Sequence, residues 1–176
     1  MQNDFNIRRL YRPVQPTVKQ AGQNVSYREV SPDDTISNII YCYWELKTNE
    51  RLNDPFTYRV VADGCIDIFF QLDNPSENFV MGFCKKYTEF PLDNYFHYIG
   101  IRFLPTMFPA LFKVNAKELS NRFERLEIVI KETSKFITDN FSNKNDLTVI
   151  KFKLDTYFTT LINNSNTVLD SRFQNA

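Results

Sequence analysis

Apolar and polar residues alternate with a period of two, or apolar residues form short solid runs, between positions 25 and 103. Both patterns are typical of β-strands, and the Asn, Asp, Pro and Gly residues between them mark turns. The pattern therefore predicts at least six strands, at residues 25–30, 39–46, 56–61, 65–72, 78–83 and 95–103.

Three glycines in this region carry predictions of their own. Gly64 follows Asp63, and Asp-Gly is a strong signal for a tight turn because glycine adopts a positive φ without strain. We expect this turn to join residues 58–61 to residues 65–72 as a β-hairpin. Gly82 and Gly100 interrupt apolar strands, which predicts bulges or close approaches of the backbone at these two positions.

The period changes from two to three and four after Pro105. Short helices are predicted at 109–112 and 116–119, followed by two amphipathic helices of about four turns each, which begin near Leu126 and Leu147. Their apolar stripes either pack on each other and on the sheet, or one of them faces a second subunit. The residues that we assign to such a dimer interface are Phe136, Phe141, Leu154, Tyr157, Phe158 and Ile162.

The charges balance, with 21 Lys and Arg against 21 Asp and Glu among 176 residues. This length suits one domain with appendages, and the neutral balance gives no global attraction to DNA or to an anionic membrane. The sequence contains neither a signal-peptide pattern nor an apolar run that would span a bilayer, so we expect a cytoplasmic protein without a membrane partner. Cys42, Cys65 and Cys84 are widely spaced, which favours buried reduced thiols.

Asp67 and Arg102 each place a charge inside an otherwise apolar strand. Burial of an unpaired charge costs several kcal/mol, so each residue lies at a rim or is compensated. We expect the two side chains on facing or neighbouring strands, linked directly, through water or through a bound anion. Two interpretations stay open: a structural pair that fixes strand register, or a polar anchor for a ligand.

Aromatic residues are abundant, with 17 Phe and 9 Tyr, and they either fill a core or line a cavity for a small organic molecule. His97 is the single histidine, which excludes a three-histidine metal site, and the sequence has no Gly-x-Ser-x-Gly elbow. We therefore expect no enzyme activity, no metal and no other cofactor. The candidate ligand-binding residues are Tyr43, Trp44, Tyr58, Asp67, Phe69, His97 and Arg102.

Several short motifs follow one another in a fixed order: Tyr43-Trp44, VADGCIDIFF at 61–70, Gly82, GIRFLP at 100–105, PALF at 109–112 and Glu118-Leu119. This order resembles the N-terminal sensor domain of one group of AraC-type transcription regulators, over roughly residues 39–126. Two departures from the pattern of that group are Ala62, which replaces a proline, and Thr106-Met107, which replaces a pair of glycines.

The resemblance implies an α+β fold, in which a cupin-like antiparallel β-barrel or sandwich is followed by a C-terminal pair of antiparallel α-helices. We divide the chain accordingly into an N-terminal arm (1–24), a sensor domain (25–113), a helical dimerisation segment (114–164) and a linker (165–176). The linker is expected to lead to a helix-turn-helix DNA-binding module beyond the last residue.

The function that the resemblance implies is ligand sensing and dimerisation within a transcription regulator. Its partners would be a small-molecule effector and a second copy of the chain, with DNA contacted only through the additional module. The residues leave two alternatives open: a free-standing small barrel that acts as an enzyme or binds a sugar, and a purely oligomerising module with a filled barrel.

Overall fold

The computed structural model describes Arg8 and residues 24–60, 63–84 and 86–164. The expected N-terminal arm, apart from Arg8 and Asn24, and the expected linker lie outside the described residues. Eight strands occur in the described part: β1 (Val25–Val30), β2 (Ile40–Thr48), β3 (Phe56–Val60), β4 (Ile66–Gln71), β5 (Asn78–Met81), β6 (Thr88–Leu92), β7 (His97–Phe103) and β8 (Phe123–Arg125).

The strands form two antiparallel sheets. The large sheet has six strands in the order β1-β2-β7-β4-β5-β8, and the small sheet consists of β3 and β6. The small sheet packs over one face of the large one, where the rings of Tyr58 and Trp44 lie 6.4 Å apart. The fold is therefore an open α+β sandwich. Of the two expected forms, barrel or sandwich, the closed barrel is wrong, because among the described residues β3 and β6 pair only with each other.

Helices cover the other face of the large sheet. They are α1 (Met107–Phe112), α2 (Ala116–Leu119), α3 (Leu126–Val129), α4 (Lys131–Asn140) and α5 (Leu147–Asn164). The hydroxyls of Thr133 and Tyr157 lie 2.8 Å apart, and Lys153 Nζ donates to the Asn140 carbonyl at 2.6 Å. Thr133, near the start of α4, thus contacts Tyr157, whereas Asn140, at the end of α4, contacts the earlier residue Lys153. The two helices therefore run in opposite directions, as the sequence predicted.

Strand alternation divides the side chains between the two faces. In β7, Ile99, Ile101 and Phe103 are fully buried against the helices. Tyr98 packs in the separate cluster beneath the small sheet. The period-two pattern of the sequence therefore supplies two apolar layers, one on each side of the large sheet.

The residues assigned to a dimer interface lie in or against the core of the chain itself. Leu154 and Phe158 are fully buried, Phe141 is buried, and the ring of Phe158 meets Phe103 edge-on at 5.7 Å. Phe136, Tyr157 and Ile162 are partly buried against the same core. The assignment is corrected for Phe141, Leu154 and Phe158, because these side chains cover their own sheet. A homodimer stays a prediction, and its interface would have to lie on a surface other than these three buried side chains.

The expected hairpin at Asp63-Gly64 is also wrong. β3 pairs with β6, whereas β4 pairs with β7 and β5, so this part of the chain passes from the small sheet to the large one. Gly64 does have a positive φ of 75°. Thr106, where the resembled pattern has glycine, also has a positive φ, of 71°.

Candidate functional site

Three neighbouring strands bring the charged residues of the sequence motifs together. Asp67 of β4 is the register partner of Arg102 in β7, and Trp44 of β2 is the partner of Gly100 in β7. Arg102 Nη2 donates to Asp67 Oδ2 at 2.9 Å, and Nε donates to Oδ1 at 3.1 Å. Trp44 Nε1 donates to the same Oδ2 atom at 3.1 Å. The expectation that Asp67 and Arg102 lie on neighbouring strands and are linked is confirmed, and of the three links considered the structure shows the direct one.

The pair is buried, and each charge compensates the other. The Arg102 side chain is 1% exposed and that of Asp67 is 11% exposed. Burial opposes the charge of Arg102, but the adjoining Asp67 carboxylate outweighs it and holds the pKa of the guanidinium well above its ordinary value. The guanidinium fork is thus engaged by Asp67 rather than offered to a ligand.

Gly100 makes room for the tryptophan of this cluster. A Cβ atom at position 100 would lie 1.8 Å from Cε2 of Trp44. The indole therefore lies directly against the backbone of β7 and reaches across it to Asp67 on β4. The close approach predicted at Gly100 is confirmed, and it explains why this strand has no side chain there.

A cavity of about 330 Å³ lies between the two sheets, beside this cluster. Its lining is mostly apolar and aromatic, and every strand except β1 contributes to it. Asp67 lies in the lining, whereas Arg102 is buried behind it. The rings that line the cavity belong to Trp44, Tyr58, Phe69, Phe79, Phe90, Tyr98 and Phe123.

Tyr58 differs from the other polar groups of the lining. Its side chain is 6% exposed, and its buried hydroxyl has no hydrogen-bond partner among the described residues. The hydroxyl of Tyr98, by comparison, accepts a hydrogen bond from Gln71 at 2.9 Å. Most buried polar groups in proteins have a hydrogen-bond partner, so the Tyr58 hydroxyl is a candidate contact for a bound ligand or water.

The charged groups of the lining are both acidic. They are Asp67 and Glu77, and no lysine or arginine of the described part of the chain lines the cavity. Arg125 contacts Glu77 from outside at 3.2 Å, and both side chains of this pair are exposed. Water weakens such an exposed pair, so Glu77 keeps much of its negative character at the cavity.

Two of the candidate ligand-binding residues lie elsewhere. Tyr43 faces the helices, where its hydroxyl donates to Asp155 Oδ1 at 2.9 Å. His97 Nε2 lies 2.9 Å from Oε1 of Glu45. Neither residue lines the cavity, and their assignment to it is corrected. Tyr43 follows the strand alternation, because its neighbour Trp44 already occupies the cavity face.

Glu45 is a buried carboxylate that the sequence analysis missed. Arg28 Nε donates to its Oε2 at 2.6 Å, and Lys47 Nζ lies 3.5 Å from the same atom. Burial alone would raise the pKa of Glu45, but the hydrogen bonds from His97 and Arg28 lower it to about 2. The buried charge is thus held by three basic groups at the end of β2.

Phe79, Phe90 and Phe123 are the lining residues that sequence reasoning missed most clearly. Phe123 lies in β8, is 45% exposed, and stacks on Phe79 with ring centroids 4.5 Å apart. A strand of three residues is too short to show a period in the sequence. Phe79, by contrast, alternates with the core residue Val80, so the sequence pattern does place Phe79 on the cavity face of β5.

The described residues show no sign of a metal site or of a membrane-spanning helix. No group of three His, Cys, Asp or Glu side chains there lies close enough together to hold a metal ion. Cys42, Cys65 and Cys84 are all buried. Among the helices described, none combines the length and the apolar character needed to cross a bilayer.

These features define an antiparallel β-sandwich domain with a ligand-sized cavity between its sheets and a helical layer on the opposite face. The chain belongs to a family known as a domain of unknown function, DUF6597, whose model matches residues 28–125. No curated protein and no solved structure matches the chain. The matched span runs from β1 to the end of β8 and contains every residue that lines the cavity.

Proposed function

We propose that this chain is the ligand-sensing domain of an AraC-type transcription regulator and that it holds a small organic effector between its two sheets. The cavity beside Asp67 is the observation that carries the proposal. Its volume of about 330 Å³ falls within the range of small-molecule sites. An apolar lining with a few polar groups is also typical of such sites.

The hydroxyl of Tyr58, which has no hydrogen-bond partner among the described residues, supports a ligand over a filled core. A domain whose core only has to be stable gains nothing from a buried hydroxyl without a partner, because such a group costs about 1–3 kcal/mol. A ligand, or water that a ligand replaces, can complete it. This feature distinguishes the proposal from a purely oligomerising module with a filled interior.

The regulatory part of the proposal rests on the motif resemblance. Trp44, Asp67, Gly100 and Arg102 come from three separate motifs, and all four meet beside the cavity. Contacts with DNA would belong to a separate module, because the charges of this chain balance. An effector would then act by favouring one of two arrangements of that module, which is a population shift. The cupin-like relationship of the sandwich belongs to the same proposal.

Trp44 provides a direct test. It is the sole tryptophan of the chain and it lines the cavity, so its fluorescence reports on occupancy. The purified protein would be titrated with a collection of several hundred small organic compounds. We expect at least one compound to change the emission saturably.

A matched pair of substitutions locates the binding. Val60→Phe fills space in the cavity lining, whereas Val149→Phe adds the same bulk at an exposed position of α5. Binding is expected to be lost in Val60→Phe and retained in Val149→Phe. Loss in both variants, or no response to any compound in the wild-type protein, would contradict the proposal and favour a structural module.

A further inference from the structure

We infer that the effector is an organic cation, a positively charged nitrogen attached to an apolar or aromatic body. The inference rests on the proposed function, since it concerns the same cavity, and it adds the charge class of the ligand. It contradicts the interpretation, open from the sequence, that Arg102 binds an anion.

The arrangement of the buried pair favours a cationic over an anionic ligand. Asp67 lines the cavity, whereas Arg102 does not, and the Arg102 side chain is 1% exposed against 11% for Asp67. A ligand therefore meets the negative end of the pair first. Asp67 Oδ1 accepts one hydrogen bond, from Arg102 Nε, whereas Oδ2 accepts three. The carboxylate thus retains acceptor capacity at Oδ1, because each carboxylate oxygen has two lone pairs.

Glu77 adds a second acidic group to the lining, without a basic one from the described residues to balance it inside the cavity. Its partner Arg125 is 47% exposed and contacts it from outside. Both carboxylates therefore lie closer to a ligand in the cavity than their arginine partners, which do not line it, and the mostly apolar walls screen this difference less than water would.

The aromatic lining favours the same ligand class. The face of an aromatic ring carries partial negative charge, so rings attract cations, and cages of rings are a recurring way to hold quaternary ammonium groups. Phe69, Phe79 and Phe123 form a continuous group of three, with ring centroids 4.5 to 5.7 Å apart. The guanidinium of Arg125 already lies 5.6 Å from the centre of the Phe79 ring.

Three probes of one shape test the charge class. Benzyltrimethylammonium is a cation, neopentylbenzene is its neutral isostere, and benzylsulfonate is an anion of similar size. Each would be titrated into the purified protein while Trp44 emission is followed with excitation at the red edge of the indole band, where the probes do not absorb. We expect the cation to bind about tenfold more tightly than the neutral isostere, and the anion more weakly than either.

Paired variants locate the effect. Glu77→Gln removes a lining charge, and Glu89→Gln removes an exposed charge of β6 that does not line the cavity. We expect Glu77→Gln to weaken the ammonium about three- to tenfold and to leave the neutral isostere unchanged, whereas Glu89→Gln changes neither.

The outcomes separate this inference from the proposed function. Binding of benzylsulfonate at least as tight as that of the ammonium would overturn the inference. If Val60→Phe abolishes the binding of benzylsulfonate, the proposal that the cavity binds a small organic ligand is still supported. Absence of ammonium binding at millimolar concentration, or equal effects of the two glutamine variants, also overturns the inference. The cavity as a ligand site is contradicted by failure of the whole compound collection, or by loss of binding in both Val60→Phe and Val149→Phe.

Discussion

The indole of Trp44 occupies the space that a side chain at Gly100 would fill. A Cβ atom there would lie 2.3 Å from Nε1, the atom that donates a hydrogen bond to Asp67. The absence of a side chain on β7 thus allows a residue of β2 to complete the hydrogen bonding of a carboxylate on β4. We expect the size of residue 100 to control both the buried ion pair and the shape of the cavity.

Gly100→Ala is expected to destabilise the protein by about 2 kcal/mol, because the indole must leave its position and lose its bond to Asp67. Urea unfolding measures the loss, and a red shift of the Trp44 emission shows the displacement. Gly64→Ala is the comparison: no atom lies within 4 Å of its added Cβ, so only the positive φ opposes it, at about 1 kcal/mol. Unchanged emission in Gly100→Ala would refute the steric argument.

Arg102→Leu is expected to cost about 3 kcal/mol of stability, because it leaves Asp67 buried without its partner. Burial raises the pKa of Asp67, and without the arginine nothing of similar strength opposes that rise. The matched control is Arg59→Leu, which breaks an exposed pair with Glu89 and should cost under about 1 kcal/mol.

A second substitution separates the lost pair from lost packing. Adding Asp67→Leu to Arg102→Leu removes the isolated charge, so the double variant should regain most of the stability. Denaturant midpoints of the wild type, both single variants and the double variant complete the comparison. If Arg102→Leu lowers the free energy of unfolding no more than Arg59→Leu does, the buried pair contributes no more to stability than an exposed pair.

Glu45 makes stability depend on acid pH. Its pKa is about 2 in the folded protein against an ordinary value of 4.5, so the folded state favours the ionised form. The resulting stabilisation is complete above about pH 4.5 and is lost as the pH falls toward 2. It amounts to about 3 kcal/mol at most, and less to the extent that water screens the half-exposed Arg28.

Glu45→Gln should therefore flatten the fall of the urea midpoint between pH 5 and pH 2.5. Glu89→Gln, at an exposed position, serves as the control and should follow the wild-type profile. Identical acid profiles for the wild type and Glu45→Gln would show that this cluster does not stabilise the ionised carboxylate.

The apolar stripe of α5 predicts different roles for two positions two residues apart. Leu154→Ala is expected to cost about 2–5 kcal/mol, because Leu154 is fully buried in the core. Phe152→Ala should change stability by less than about 0.5 kcal/mol, because Phe152 is 72% exposed. Sedimentation should give the same oligomeric state for the wild type and for folded Leu154→Ala. A change in oligomeric state would show that Leu154 does belong to a subunit interface.

The period-two pattern of the sequence predicts the longer strands of the large sheet correctly. β1 occupies the predicted residues 25–30, and Asp67 and Arg102 pair as the burial argument required. β6 was missed because Pro91 interrupts its pattern, and a proline argues against a strand. Sequence periodicity also could not show that the predicted helix after Leu126 breaks at Ile130, where the backbone leaves the helical region.

The candidate site was predicted in part. Alternation places Asp67 and Phe69 on one face, and both line the cavity. The same rule places Tyr43 and Trp44, as neighbours in one strand, on opposite faces, so the sequence already predicts that they do not line the cavity together. The contribution of β3 and β6 could not be foreseen, because the pairing of distant strands leaves no local signal in the sequence.

The strand order of the large sheet has a consequence for how the protein folds. β7 lies at its centre between β2 and β4, although it is the last long strand to appear in the chain. Trp44 and Asp67 are 23 positions apart, Asp67 and Arg102 are 35, and Tyr43 and Asp155 are 112. Loops of this length must close before their contacts are gained, which slows folding to the range of milliseconds to seconds. During synthesis, the edges of β2 and β4 that pair with β7 therefore stay unpaired until the ribosome has released β7.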